Sequence, residues 1–586
     1  MTALQEFLSF LRYKNEIVEV SCSVDPHLEI AEIHRRVVAS GGPALLFTDV
    51  IGSSFPVVTN LFGSQARVDY AFSSYEPKTV SRFLDFFSKS PSLSSCWQNR
   101  DLVKRLFKLG LKKKRLSCYY KEPSLDLNSL PFLTSWPEDG GPFLTLPLVY
   151  TESPLSGIPN LGMYRMQRFD SQTTGLHFQI QKGGGLHFHE AEQLNQNLSV
   201  NVFLGGNPFL ILSAIAPLPE KISEILFCSF LMGKKLFYGK SSYNHYPLFS
   251  DCEFILFGKA VKNIRQPEGP FGDHYGYYSL THDFPIFKCS GIYHAKKAVF
   301  PATIVGKPKQ EDFYLGEKLQ EFLSPLIPFV MPGVIQLKSY GETGFHSLSG
   351  AIVKERYKKE TLTSALRILG EGQLSLTKFL LVTDRIIDLN DFKTLFRTIL
   401  ERFCPSQDFI IFPYSSQDTL DYTGPELNMG SKAILMGLGP PIRILQDQLE
   451  YRLPNQIKNP KVFCPGCLVI EIEPSVKIEE LYNFSELQEW PIVVISDNAT
   501  KTSSNKTSFL WRVFTRFEPA SDIYFKTSGY KRHSQIRKLP IFIDARMKNN
   551  YPKEVFADKH TKDIVSKKWS KYFPNGQIQS GDYDDI

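Results

Sequence analysis

The sequence predicts a mixed fold, with α/β sections at both ends of the chain and a β-rich section between them. Helices and strands alternate in the first third, short apolar strands separated by glycine and proline fill the middle, and buried strands followed by helices return near the C-terminus. At 586 residues the chain is too long for a single core, and 42% hydrophobic residues exclude a largely disordered protein. We therefore expect about three domains.

The first section, residues 1–125, carries the pattern of an α/β domain. Apolar residues recur at helical spacing from Leu4 to Leu11. The strand Ile17–Val20 and a helix over Leu28–Ser40 follow, and Ala44–Phe47 and Phe55–Thr59 are typical of buried strands. Neither GxGxxG nor GxxxxGK[ST] occurs here, so the pattern does not identify a nucleotide site.

Residues 126–325 form the β-rich section. Strand signals separated by glycine and proline turns occur in four segments: Phe143–Tyr150, Leu176–Ile180, Leu198–Phe203 and Glu253–Phe257. Helical patterns near Ala191 and over Ser223–Met232 interrupt them. We expect an antiparallel β domain with helical insertions.

The C-terminal sections return to an α/β pattern. In residues 326–445, Phe379–Asp384 predicts a buried strand and Asp391–Phe403 a helix. Ile492–Asp497 resembles the first of these segments, so we interpret 446–586 as a partial copy of the preceding domain with a structural or oligomerisation role. The polar end, Asn575–Ile586, is expected to fray.

Charge and cysteine usage limit the function classes. The net charge of +7 is small for this length and does not require a nucleic-acid partner. The basic run Lys112–Arg115 suits a solvated helix face, a domain linker, or a nucleic-acid or membrane patch. Nine scattered cysteines indicate reduced thiols, and the pair Cys464 and Cys467 is either incidental or half of a zinc or redox site. With no secretory signal or membrane-length apolar run, we expect a cytoplasmic protein.

The segment Gln266–Tyr278 is the strongest candidate for chemistry. Glu268 and Asp273 lie five residues apart among glycines, a proline and aromatic residues, a composition that favours a fixed turn. An aromatic-lined, dry pocket would raise the pKa of one carboxylate, as a proton donor near neutral pH requires. The alternative is a surface turn whose acids only cap or solvate.

Together with other motifs, this segment resembles the UbiD-type decarboxylases. The matching motifs occur in the family's order over residues 1–445: Val24–Pro26, Gly41–Phe47, Thr59–Ser64, Asn160–Arg165, Pro267–Tyr278, Gly306–Pro308 and Gly430–Lys432. The resemblance implies a split β-barrel that binds FMN over residues 126–325. It also implies non-oxidative decarboxylation of an aromatic acid, with prenylated FMN as electron sink and a flavin prenyltransferase as the partner that supplies it.

The resemblance assigns roles to particular residues. Arg165, Glu268 and Asp273 would be catalytic, with Asp273 as proton donor. The flavin-binding residues would be Met163, Tyr164, Arg165, His177, Phe178, Gln179, Lys182, Gly183 and Lys432. Asn160 and Glu224 would bind Mn2+ or Mg2+, with K+ as an alternative, because oxygen ligands suit hard cations. Gln181 stands where some members have a third ligand, a histidine. On the residues alone, Glu224 is equally a helix-capping residue.

Three further expectations and two rival functions accompany this hypothesis. The substrate class would be a hydroxybenzoate or hydroxynaphthoate of ubiquinone or menaquinone biosynthesis. A prenylated substrate could bring peripheral membrane association, and we expect a homo-oligomer without a nucleic-acid partner. The rivals are a flavin reductase-like FMN oxidoreductase and a basic protein that binds RNA or a membrane surface.

A separate pair of residues, His187 and His189, would share one face if it lay on a strand. The two imidazoles could then bind metal or be structural.

Overall fold

A computed structural model describes the chain except for residues 77, 90–91, 115–118, 122–125, 180–181, 219–221, 241–242, 451 and 584–586. Two predicted residues, Gln181 of the metal site and Arg115 of the basic run, lie outside the described residues. Within the described part, no helix combines the length and apolar character needed to cross a bilayer. The chain divides into two compact units, one formed by Met1–Leu319 with residues 553–583, the other by Gln320–Pro552.

The secondary structure is as follows. The helices are α1 Ala3–Tyr13, α2 Glu29–Ala39, α3 Gln65–Ala71, α4 Thr79–Ser88, α5 Leu93–Gln98, α6 Arg100–Phe107, α7 Gly183–Gln193, α8 Pro208–Ala214, α9 Glu224–Met232, α10 Glu311–Leu323, α11 Ile327–Val330, α12 Glu360–Ile368, α13 Phe392–Leu400, α14 Ala499–Ser503, α15 Lys506–Phe514 and α16 Lys559–Tyr572. The strands are β1 Ile17–Val20, β2 Ala44–Phe47, β3 Val57–Thr59, β4 Leu111–Lys113, β5 Tyr119–Lys121, β6 Phe143–Leu144, β7 Leu148–Glu152, β8 Pro159–Met163, β9 Met166–Gln167, β10 Thr173–Gly175, β11 Leu198–Leu204, β12 Leu236–Lys240, β13 Pro247–Phe249, β14 Phe254–Glu268, β15 Phe271–Gly272, β16 Tyr278–Ser279, β17 His282–Ala295, β18 Phe300–Pro301, β19 Val334–Ser339, β20 Leu348–Val353, β21 Phe379–Thr383, β22 Phe409–Ser416, β23 Met429–Gly437, β24 Ile457–Cys464, β25 Cys467–Ile472, β26 Ile492–Ile495, β27 Ile523–Lys531 and β28 Ser534–Asp544.

The N-terminal part of the first unit has the predicted α/β pattern. Helix α1 buries its apolar stripe, Leu4, Phe7, Leu8 and Leu11, and begins at Thr2, whose side chain accepts a hydrogen bond from the Gln5 amide. Strands β1, β2, β3 and β18 form one four-stranded sheet in that order. The strand and helix predictions for this section are therefore confirmed to within one or two residues.

The centre of the first unit is a seven-stranded sheet in the order β10-β17-β14-β11-β7-β8, with β5 also paired to β17. Its pairs are antiparallel. The two long strands β14 and β17 run side by side until Glu268 lies opposite His282. The loop between these strands therefore starts at Glu268, which places the candidate catalytic segment at the end of the sheet.

One predicted strand of this section is wrong. Of Leu176–Ile180, the described residues 176–179 are not in a strand, and β10 ends at Gly175. The Leu176 amide still donates to the Pro285 carbonyl at 2.9 Å. Because proline has no N–H, Pro285 cannot return the second hydrogen bond, and the ladder stops there.

The second unit holds two five-stranded sheets with one topology. Their orders are β19-β20-β21-β23-β22 and β24-β25-β26-β28-β27. In both, the inner pairs are parallel and the two outer pairs are antiparallel. The resembling segments of the sequence, in β21 and β26, occupy the central position of each sheet. Residues 446–552 therefore repeat the architecture of the domain before them.

The segment predicted as one extension, 446–586, is divided between the units. Residues 553–583 belong to the first unit, and α16 packs against α2. Lys568 Nζ lies 2.8 Å from Glu29 Oε1, and the hydroxyl of Tyr583 donates to Glu32. Ile578 is buried and contributes an apolar side chain to the core. The expectation that the chain frays from residue 575 is therefore wrong as far as Tyr583.

Candidate functional site

The loop that follows β14 contains a short hairpin. Strands β15 and β16 pair antiparallel, with Gly272 opposite Tyr278. At the turn, the Asp273 amide donates to the Tyr277 carbonyl at 3.0 Å and the Gly276 amide to the Asp273 carbonyl at 2.9 Å. Gly276 has a φ of +81°, a backbone conformation that strongly favours glycine. The turn predicted from the composition of this segment is thus built around Asp273, and we call residues 273–277 the catalytic turn.

Arg165 joins the two carboxylates of this segment. Its Nε donates to Glu268 Oε1 at 2.9 Å, and its Nη2 donates to Glu268 Oε2 at 3.3 Å. Nη1 forms a short ion pair with Asp273 Oδ2. Nη2 also donates to Ser279 Oγ at 2.9 Å, and the guanidinium lies 4.6 Å from the centre of the Phe271 ring. The structure therefore brings the three predicted catalytic residues into one cluster, in which no side chain is more than 10% exposed.

Two histidines complete the polar cluster. His177 Nδ1 lies 2.8 Å from Glu268 Oε2, while its ring packs 4.2 Å from that of Phe284. His274 Nδ1 lies 2.6 Å from Asp273 Oδ1. The family resemblance assigned His177 to the flavin and gave His274 no role, although its position directly after Asp273 was the available signal.

The charges of the cluster differ from the sequence expectation of a raised pKa. Burial alone would raise the pKa of Glu268, but the charge of Arg165 and the contact with His177 lower it to about 2. Burial would likewise raise the pKa of Asp273. The contact with His274, together with the charge of Arg165, instead holds the pKa of Asp273 well below its usual range. The expectation is wrong for this state because it considered the apolar surroundings without the cations that the fold brings in.

A second layer of contacts, which the sequence did not reveal, fixes the backbone of the loop. Asp139 Oδ1 accepts a hydrogen bond from the Gly272 amide at 2.8 Å, and its Oδ2 accepts from the Trp136 amide at 2.9 Å. Gln167 accepts from the Gly269 amide at 2.7 Å. These partners come from distant parts of the sequence, so no local pattern identifies them.

Asn160 and Glu224, the predicted metal ligands, are neighbours across β8 and α9. Glu224 Oε2 accepts from the amide of Leu161, the residue after Asn160, at 3.1 Å. Ser223 is the N-cap of α9, with its Oγ accepting from the Ile225 amide at 3.3 Å, so Glu224 is not the cap. Burial raises the pKa of Glu224, and a bound cation would offset this cost to its charged form.

The predicted flavin residues all follow Asn160 in the chain, and Gly183 packs against the Asn160 side chain. A Cβ on Gly183 would meet Asn160 Oδ1 at 2.3 Å, so the absence of a side chain admits the amide. The Gly184 amide donates to the Tyr164 hydroxyl at 3.1 Å, and the rings of Tyr164 and Phe178 pack edge to face. Lys182 stands at the N-cap position of α7. These residues offer oxygen atoms that could ligate a hard cation, beside a helix N-terminus of the kind that accepts an anion.

The remaining predicted flavin residues differ in their placement. Met163 ends β8, and Gln179 precedes α7; both are partly exposed. Lys432 lies on β23 in the second unit, where its Nζ donates to the Ser416 carbonyl at 2.7 Å and to the Thr377 carbonyl at 3.3 Å. Burial lowers the pKa of Lys432 to about 8. The amine of Lys432 thus donates to two carbonyl groups of the second unit.

The other metal candidates are not assembled. His187 and His189 lie on helix α7, where side chains two residues apart do not share a face. His187 Nδ1 instead lies 2.9 Å from Thr151 Oγ1. Cys464 and Cys467 are free, buried thiols on paired strands β24 and β25. Within the ranges given above, no group of three or more His, Cys, Asp and Glu side chains could hold a metal ion.

The basic run lies partly on an edge strand. Lys112 and Lys113 are exposed on β4, which pairs with β12, so this segment is a strand where a helix face was considered. The aromatic ring of Phe237 lies under Lys114 at 5.1 Å.

Comparisons with known proteins match most of the chain. Three family models fit in order: the N-terminal domain of 3-octaprenyl-4-hydroxybenzoate carboxy-lyase (UbiD) over residues 8–86, its Rift-related domain over 111–308 and its C-terminal domain over 313–437. A protein of Chlamydia pneumoniae, named as one of the subunits of a 4-hydroxybenzoate decarboxylase, is 55% identical over 98% of this chain and 99% of its own length.

Solved structures share the fold. The vanillic acid decarboxylase of Sedimentibacter hydroxybenzoicus in its closed form is 22% identical, covers 82% of this chain and 98% of its own, and has a TM-score of 0.66. An evolved dimeric form of the UbiD-class enzyme HmfF from Pelotomaculum thermopropionicum, in complex with prenylated FMN, is 21% identical, with a TM-score of 0.60 over 75% of this chain and 95% of its own.

Proposed function

Because the chain belongs to the UbiD family of carboxy-lyases, we propose that it removes CO2 from an aromatic acid of the hydroxybenzoate or hydroxynaphthoate type. The observation that carries this proposal is the buried contact of Arg165 with both Glu268 and Asp273. The name of the Chlamydia pneumoniae relative supports the hydroxybenzoate class. A precursor of ubiquinone or menaquinone is the preferred substrate within that class.

Prenylated FMN is the cofactor that we assign to this site. It would accept the electron pair left on the ring carbon when CO2 departs, which side chains cannot stabilise. Tyr164, His177 and Phe178 would line it, and Lys182 with the Gly183 amide would hold its phosphate. Asn160 and Glu224 would bind Mn2+ or Mg2+, which would offset the negative charge of Glu224 and of the cofactor phosphate. A flavin prenyltransferase would be the partner that supplies the cofactor.

The chain's own residues bind the acid and move the proton. The substrate carboxylate would compete with Asp273 for Arg165, whose guanidinium suits paired contacts with carboxylates. Losing part of that contact and gaining a second negative charge nearby would raise the pKa of Asp273. Asp273 would then take up a proton and donate it to the carbon that CO2 leaves. Glu268 keeps Arg165 oriented through two hydrogen bonds.

The test uses full-length protein produced together with a flavin prenyltransferase. Hydroxybenzoates and hydroxynaphthoates are supplied one at a time, and CO2 release is measured for the wild type, Asp273→Asn and the control Asp283→Asn. Asp283 is exposed on β17, so its substitution should leave turnover unchanged. We expect Asp273→Asn to lower kcat by about 100- to 10,000-fold, the range for loss of a general acid.

Two outcomes would contradict the proposal. A wild type that carries the modified flavin but releases no CO2 from any of these acids would refute the activity. An unimpaired Asp273→Asn variant would refute the role of Asp273. Oxidation of NAD(P)H that persists in Glu268→Gln would instead favour the flavin reductase.

A further inference from the structure

The C-terminal segment reaches the catalytic turn. After the second unit, the chain enters the first unit at Lys553, and its first residues lie beside the turn that carries Asp273. The Tyr278 amide donates to the Lys553 carbonyl at 3.0 Å, and the Val555 amide donates to the Gly276 carbonyl at 3.1 Å. Tyr277 and Glu554 form an antiparallel bridge between these two hydrogen bonds.

Side chains secure this short strand. Val555 is 1% exposed and packs in a cluster with Trp136 and Tyr278. Glu554 Oε2 lies 3.1 Å from Lys307 Nζ, and this amine lies 3.6 Å from the centre of the Phe556 ring. The segment Lys553–Phe556, which we call the return strand, is therefore held by backbone, apolar and ionic contacts together.

The hairpin that carries Asp273 needs such support. Strands β15 and β16 have two residues each, and an isolated two-stranded hairpin is at best marginally stable in water. A third strand with an apolar contact is what such a hairpin requires for stability. Asp139 holds the β15 side through the Gly272 amide, and the return strand holds the opposite side through Gly276 and Tyr278.

We propose that the return strand is a positioning element for Asp273, which keeps the catalytic turn in register so that the carboxylate stays between Arg165 and His274. Its link to catalysis rests on the proposed function; the contact itself does not. The family models match no residue after 437, so they do not cover this element. The inference gives the segment that follows the second unit a task at the proposed reaction site.

Hydrogen–deuterium exchange on the full-length protein tests the contact without turnover. The variant is Val555→Ala, and the matched control is Val565→Ala, a fully buried valine on α16 in the same C-terminal segment. We expect the amides of residues 273–278 to exchange about tenfold or more faster in Val555→Ala, because local opening of the turn becomes easier. Val565→Ala should leave these amides at the wild-type rate and affect α16 instead.

Turnover then tests the role. For the enzyme loaded with its cofactor, Val555→Ala should lower kcat by about tenfold with KM unchanged, because a displaced proton donor slows the chemical step more than substrate binding. Val565→Ala should retain kcat. If Val555→Ala fails to fold, Glu554→Gln, which removes the ion pair with Lys307, takes its place in both measurements.

Equal exchange of residues 273–278 in both alanine variants would overturn the proposal, since the return strand would then have no particular hold on the turn. Faster exchange in Val555→Ala with an unchanged kcat would also overturn it, because the turn would be loosened without consequence. An inactive wild type would refute the proposed function, and the exchange comparison alone would then support or overturn the contact.

Discussion

The imidazole Nδ1 of His274 lies 2.6 Å from Asp273 Oδ1, and Arg165 Nη1 forms an ion pair with the other carboxylate oxygen, Oδ2. Asp273 is therefore held from two directions by groups that favour its anionic form. A proton donor in such surroundings depends on a change in its contacts during the reaction.

Replacing His274 should raise the pKa of Asp273. The His274→Asn variant keeps a hydrogen-bond donor but removes the imidazole charge, one of the causes that hold this pKa low. The pKa of Asp273 should move towards the usual aspartate value, measured by 13C NMR titration of aspartate carboxyl carbons assigned with Asp273→Asn. His189→Asn, on the exposed side of α7, should leave the signal in place. An unmoved Asp273 signal in His274→Asn would contradict the contact.

Removing Arg165 should destabilise the first unit. Arg165→Gln leaves Glu268 and Asp273 buried without their cation, a change that costs about 3–5 kcal/mol in free energy of unfolding. The loss should be larger at pH 8 than at pH 5, because both carboxylates can take up protons once the guanidinium is absent. Chemical unfolding at the two pH values measures it.

The control is Arg265→Gln, which breaks the partly exposed ion pair with Glu192. Pairs of that kind contribute about 0–1 kcal/mol, so this variant should unfold close to the wild type at both pH values. Equal losses of unfolding free energy in the two arginine variants would contradict the prediction, because removing the cation from the buried carboxylates would then cost no more than breaking an exposed ion pair.

Acid should weaken the wild type through Glu268. Its pKa is lowered from 4.5 to about 2, so the stability it contributes is complete above about pH 5 and is lost as the pH falls towards 2. Glu268→Gln, which does not titrate, should show a shallower decline of melting temperature over this interval. Glu6→Gln, on the exposed face of α1, should follow the wild type. If the melting temperatures of the wild type and Glu268→Gln declined in parallel with falling pH, the lowered pKa of Glu268 would be refuted.

Metal affinity should depend on Glu224 and on the space at Gly183. Glu224→Gln removes the anionic ligand, and Gly183→Ala puts a Cβ 2.3 Å from Asn160 Oδ1. We expect each variant to bind Mn2+ at least about tenfold more weakly in the presence of FMN, measured by electron paramagnetic resonance of free Mn2+. Glu152→Gln, on β7, is the control and should retain the wild-type affinity. An unchanged affinity for Mn2+ in Glu224→Gln would show that Glu224 is not a ligand of the metal.

The sequence predicted some features of the site because they are local. The turn around Asp273 follows from glycine and proline within one segment. The motifs Asn160–Arg165 and Pro267–Tyr278 contain Arg165, Glu268 and Asp273, which the fold does bring together. The low pKa of Glu268 could not be predicted, since it depends on Arg165 and His177, which approach from other parts of the chain. The hydrogen bond from the Gly272 amide to Asp139 could not be predicted either, because Asp139 is also distant in the sequence. The strand assigned to Leu176 failed because Pro285, over one hundred residues away, ends the ladder.

The packing of α16 on α2 has a consequence for biosynthesis. Nearly every residue of α2 is buried in the finished protein, including the charged pair Glu32 and Arg35. During translation α2 leaves the ribosome long before α16 is made, so the side of α2 that α16 covers stays exposed until α16 follows. Domains usually fold in the order in which they appear. Here the packing of α2 is complete only once α16 has also been synthesised.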